Sequence, residues 1–153
     1  MNAVIDNALR TYARLDLETG ISGATPEALI LMLYDGAVKA IALARAAMEQ
    51  GDASLKGRQL SKAIGIVEEG LRGALDLAAG GEIATNLASL YEYMSHQLMR
   101  ANLHNDLAIL DEVSGLLRDL KSAWEQVVAQ QSGHAAAPPS ATEGRPATSY
   151  GKA

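Results

Sequence analysis

The sequence predicts an all-α fold: an antiparallel four-helix bundle with a short additional N-terminal helical segment and a disordered C-terminal tail. Three observations predict it. Apolar residues recur at three- and four-residue steps through four long stretches, which is the helix period. The links between those stretches are short, so each helix must run back along its predecessor. The chain is 48 % hydrophobic but only 4 % aromatic, with no Phe. A core of Leu, Ile, Val, Met and Ala suits closely packed helices better than a β-sandwich.

The first long helix is predicted to start at Thr25-Pro26-Glu27. Thr25 serves as N-cap, Pro26 fits the first helical position, and Glu27 complements the positive end of the dipole. It runs to about Gln50, where Gly51 supplies a left-handed stop. The second starts near Ser54 and carries Leu60, Ala63, Ile64, Val67, Leu71, Ala74, Leu75 and Ala78 in helical spacing, with Gly80-Gly81 as its end. The third begins at Glu82 and shows Ile83, Leu87, Leu90, Tyr91, Met94, Leu98 and Ala101. The fourth follows the capping pair Asn105-Asp106 and shows Leu110, Val113, Leu117, Leu120, Trp124, Val127 and Val128.

Two flanking regions complete the organisation. Residues 2–15 form a weaker helical pattern (Val4, Ile5, Ala8, Leu9, Tyr12, Leu15), joined to the bundle by a Gly/Ser/Thr link. Residues 133–153 contain no Leu, Ile, Val, Met or Trp but hold Pro138, Pro139 and Pro146. Such a stretch buries too little apolar surface to offset the entropy of ordering and reads as disordered. The expected organisation is therefore 1–24 segment and link, 25–132 bundle, and 133–153 tail.

Composition removes several classes of function. Thirteen Lys and Arg stand against 18 Asp and Glu, a net charge of −5. That balance argues against nucleic-acid binding, which needs a basic face. With no Cys, disulfides, zinc fingers and cysteine nucleophiles are excluded. The longest wholly apolar run, 28–34, is far short of a membrane span, and no export signal is visible at the N-terminus. The expected location is the cytoplasm, with no direct membrane insertion.

Helix bundles often hold metals, and the di-iron type requires Glu-x-x-His on two helices plus a further Glu on each of the others. Here Glu92 and His96, four apart, occur once and read as a surface helix pair. Ser95, His96 and Asp106 could compose a hydrolytic set, but no nucleophile sits on a glycine-flanked turn. Gly80-Gly81-Glu82 lacks the spacing of a phosphate loop. No enzyme activity, metal or cofactor is expected.

The first bundle helix carries too much apolar surface. At about 100° per residue its charged side chains, Glu27, Asp35, Lys39 and Arg45, share one arc of about 120°, with Leu31, Val38 and Ala42 interleaved. A helix apolar nearly all round needs cover on a second side. The rest of its own bundle, the N-terminal segment or a partner chain could supply it, and self-association is compatible with the same surface.

Several motifs carry a family resemblance. Thr25-Pro26-Glu27-Ala28-Leu29 and Leu31-Met32-Leu33-Tyr34-Asp35-Gly36-Ala37 resemble the bundle start of flagellin export chaperones of the FliS family. Gly80-Gly81-Glu82-Ile83-Ala84-Thr85-Asn86-Leu87, Leu90-Tyr91-Glu92-Tyr93-Met94, Ala101-Asn102-Leu103-His104-Asn105-Asp106 and Ala123-Trp124 are similar in the same order. The resemblance covers about 12–128. It implies a cytoplasmic, non-enzymatic chaperone that binds the disordered C-terminal segment of flagellin and prevents premature polymerisation. It also implies delivery of the client to the cytoplasmic domain of a membrane protein of the flagellar type III export gate. Leu31, Tyr34 and Val38 are the expected client contacts, and Leu9 and Tyr12 the expected export-gate contacts. Tyr91, Met94, Leu110 and Leu117 read as core. His96-Gln97 departs from the family pattern, where more basic residues are expected. The alternatives are an adaptor or chaperone for another secreted subunit, or a metal-dependent helical-bundle enzyme.

Overall fold

Helix α1 spans Pro26–Gln50 in the computed structural model, which describes residues 25–136. Its start and stop are local chemistry. The Thr25 side chain accepts a hydrogen bond from the Ala28 amide at 3.1 Å, and Pro26 occupies the first turn, where a missing N–H costs nothing. Gly51 adopts φ 75°, a left-handed turn that returns its amide to the carbonyls of Ala47 and Met48.

Helix α2 spans Ala53–Gly65, capped by Asp52 through the Leu55 amide at 3.0 Å, and continues as a π-helical stretch, Ile66–Arg72. The wider turn brings Ile66, Val67, Gly70 and Leu71 to the buried side together. The chain leaves helical structure at Gly73, so the expected end at Gly80-Gly81 is corrected. Beyond Gly73 the spacing rests on Ala74, Leu75 and Ala78, and Ala78 is exposed. Asp76 instead caps a new helix, accepting from the Ala79 amide at 3.0 Å.

Helix α3 spans Leu77–His104 and is broken once, at Gly81, whose φ 58°, ψ −138° is accessible to glycine alone. The glycine pair therefore lies inside α3, one turn after its start. Asn105, at φ 52° and ψ 48°, ends α3, and Asp106 caps α4, Leu107–Ala136, through the Ile109 amide at 3.3 Å. Helix α4 passes the expected boundary at 132. One glycine inside a helix costs only about 1 kcal/mol, and Gly133 lies within the described helix.

The chain forms two compact units, Met1–Lys121 and Ser122–Ala153. In the first, polar contacts define an up-down-up-down order. Arg45 meets Asp111 and Asp35 meets Lys121, so α1 and α4 are antiparallel. Glu68 meets Ser95 and Lys56 meets Asn105, so α2 and α3 are too. Tyr93 meets Glu112, closing α3 on α4. The described part of the second unit is the last stretch of α4, where Val127, assigned to the apolar face by spacing, is exposed.

Leu33, Leu60, Ile66, Met94, Leu98, Leu110, Val113 and Leu117 are fully enclosed, and Tyr91 joins them at 2 % exposure. The core reading of Tyr91, Met94, Leu110 and Leu117 agrees with this. Ile83 does not belong to it: helical spacing places it on the apolar face, but it is 73 % exposed just after the Gly81 break.

The hydroxyls of Tyr34 and Tyr91 lie 2.6 Å apart in this core. Tyr34→Phe or Tyr91→Phe alone strands one buried hydroxyl and should cost about 1–3 kcal/mol. The double change removes both partners and should cost less than the sum, which urea unfolding of all four proteins measures. Burial pushes both phenols above their ordinary value. The unfolded chain therefore ionises first as pH rises past about 10, and stability present below that pH should fall above it. The double Phe variant should lose this alkaline sensitivity.

Candidate functional site

Helix α1 turns two faces to different surroundings. One face buries Leu29, Leu33, Tyr34, Ala37, Ala40, Ile41, Ala44 and Ala47. The small residues let neighbouring helices approach closely, and this face of α1 lies inside the bundle. The bundle itself supplies much of the cover that the sequence demands.

The other face is the arc carrying Asp35 and Arg45. Both reach across to α4: Asp35 to Lys121 at 2.7 Å and Arg45 to Asp111 at 2.8 Å. Arg45 also holds Glu49 at 2.7 Å. Its guanidinium keeps the Asp111 carboxyl below the usual carboxylate range. These are exposed pairs, and their main effect is to fix the register of α4 on α1. At about 100° per residue, Leu31 and Val38 fall between them in angle around the helix and are half-buried, and Ala42 is exposed. Leu43, on the next strip of α1, is 41 % exposed. Beside Ala42 a cleft of about 200 Å³ opens between α1 and α4, lined by Ile41, Ala42, Arg45, Asp111, Ser114 and Arg118.

Of the expected client contacts, the structure thus places Leu31 and Val38 at the border of the bundle and Tyr34 in its core, 4 % exposed against Tyr91. Leu9 and Tyr12 lie outside the described residues. The ion pairs of the α1 arc escape sequence reading because their partners are far along the chain. The interleaving of charged and apolar residues in one arc was the only signal.

The alternative chemistry finds no support in the geometry. Glu92 and His96 are both exposed, and Glu92 lies 4.0 Å from Arg72. Ser95 donates to Glu68 at 2.7 Å, tying α3 to the π-helical stretch. Among the described residues no group of His, Asp or Glu is arranged to hold a metal ion, and no helix is long and apolar enough to cross a membrane.

The described residues thus form an antiparallel helical bundle with half-buried aliphatic side chains at the border of α1. Comparison with known proteins makes the class specific. The chain belongs to the FliS family: the family model for flagellar protein FliS matches residues 8–131. It is 47 % identical over 121 residues to the flagellar secretion chaperone FliS of Salmonella typhimurium, covering 79 % of this chain and 90 % of the relative. It is 46 % identical over 120 residues to flagellar secretion chaperone FliSB of Pseudomonas aeruginosa, covering 78 % and 94 %. The FliS of Bacillus subtilis is 37 % identical over 111 residues, 72 % and 81 %. The family is one of chaperones, not enzymes.

Proposed function

We propose that this protein is a cytoplasmic export chaperone for flagellin. It binds the disordered C-terminal segment of the subunit, blocks premature filament assembly and helps deliver it to the flagellar type III export gate. The observation that carries the reading is membership of a family whose relatives are named flagellar secretion chaperones. The apolar border of α1 supports it physically. A disordered client that folds on binding lays helical apolar anchors against grooves, and half-buried aliphatic side chains are suitable partners.

In this reading Leu31 and Val38 touch the client, while Tyr34 acts from the core by holding α1 against α3. Leu9 and Tyr12 are proposed as contacts with the cytoplasmic domain of the export-gate membrane protein. No ATP is needed: occupying the assembly segment is enough to prevent polymerisation, and release is left to the export machinery. Seeded polymerisation of monomeric flagellin tests the proposal. Equimolar protein should suppress filament growth, and unchanged growth would contradict it.

A further inference from the structure

Arg45, Arg72 and Lys121 each pair with a carboxylate. The α2–α3 layer near the α3–α4 turn is built differently. There the stretches 53–67 and 93–105 run alongside each other and contain no Asp or Glu, in a chain of net charge −5. Lys56 of α2 donates to the Asn102 carbonyl at 3.0 Å and to the Asn105 side chain at 2.7 Å. Arg100 of α3 donates to the Gln97 side chain at 3.0 Å. These acceptors are all neutral, and neither cation has an ion pair among the described residues. The Tyr93 phenol, which Arg100 also faces, is uncharged at neutral pH, since its bond to Glu112 holds it above its ordinary value. Beside these cations Met99 and Leu103 are 50 % and 75 % exposed. They lie one turn apart on α3, so their side chains adjoin. Lys56 flanks the pair from the α2 side. Arg100, about 100° round the helix from Met99, flanks it from the α4 side, where Gln97 meets Glu112.

We propose that this face of α3 docks an acidic amphipathic helix of a second protein partner, with Met99 and Leu103 as its apolar seat and Lys56 and Arg100 as the specificity-determining cations. A helix docks through apolar side chains one turn apart, and a flexible thioether adapts to varied partners. Cations that no carboxylate of the chain neutralises favour an acidic rim on the partner, because complementary charge sets specificity and speeds encounter. At physiological salt a charge is felt over only about 8 Å. A single helix therefore reads this local patch, whereas an anionic membrane meets the acidic molecule as a whole. Helices α1 and α3 are diagonal in the bundle, each flanked by α2 and α4. Docking on α3 thus leaves the α1 border free and does not depend on flagellin binding there.

The test uses the full ¹⁵N-labelled chain. The probe is two tandem copies of Leu-Glu-Ala-Leu-Leu-Glu-Gln, blocked at both ends, and its counterpart has every Glu replaced by Gln. The Met99 and Leu103 amides and Arg100 Nε should shift saturably, with the Glu peptide bound about fivefold more tightly, an ordinary magnitude for an exposed ion pair. Leu103→Ser should weaken the Glu peptide about tenfold, as loss of an apolar anchor does, and Arg100→Gln should lower the preference for Glu over Gln. Both side chains are exposed, so helix content by circular dichroism should match the unaltered protein. No shift at these residues, equal affinity for the two peptides, or unchanged binding in either variant overturns the proposal. Phosphatidylglycerol vesicles should not sediment the protein; if they do so and shift the same resonances, the face is a membrane contact and the proposal fails. Saturating flagellin should leave peptide binding unchanged, and competition would assign the face to the client instead. If the protein binds no flagellin while the Glu peptide still shifts Met99 and Leu103, the client reading fails and the docking face stands.

Discussion

Replacing Leu98 with alanine should destabilise the bundle by about 2–5 kcal/mol. Leu98 is fully enclosed on α3, so truncation removes buried methylenes and leaves a void that neighbouring helices fill only in part. In a domain of this size the unfolding midpoint should fall on the order of 10–20 °C. Ile83→Ala is the matched comparison. Ile83 shares the helical spacing of α3 but is 73 % exposed, and surface changes of this kind usually stay within about 0.5 kcal/mol. Thermal scans of the two variants decide the matter. Similar losses would mean that the Gly81 break does not turn Ile83 outward.

The second large effect is on binding. Leu31→Asp and Val38→Asp should each lower affinity for flagellin at least about tenfold, the size expected when an apolar anchor is lost. Both residues are half-buried at the border of the bundle. A carboxylate there can reach water in the free protein, whereas under a bound client helix it would be desolvated without a partner. Helix content by circular dichroism should therefore be unchanged before client is added. Loss of helix in the free variants would place these side chains in the core and remove them from the client surface.

The contrast between these variants follows what could be read in the sequence. Thr25, Pro26, Gly51 and Asp106 act within a few residues of themselves, so capping chemistry located both ends of α1 and the start of α4 correctly. The end of α2 was misplaced because alanine fits either side of a helix boundary. Ala74 and Ala78 prolonged an apparent period that the chain abandons at Gly73. Asp76 was the available signal, as an N-cap residue three before the amide it binds. The π-helical stretch left no such mark.

The candidate site was legible only in part. An apolar helix with a single charged arc could be recognised from periodicity. Which of its residues would be inside could not, because Tyr34 is buried through a partner 57 positions away and Arg45 is fixed by one 66 positions away. The spacing of Leu31, Tyr34 and Val38 puts all three near one another on the helix. The packing of α3 then takes Tyr34 inward and leaves Leu31 and Val38 at the border.

The most direct measurement of the central claim is a calorimetric titration of the protein with purified flagellin and with flagellin lacking its C-terminal segment. The account predicts saturable binding of the intact subunit and no measurable binding of the truncated one. Equal binding of the two would contradict it.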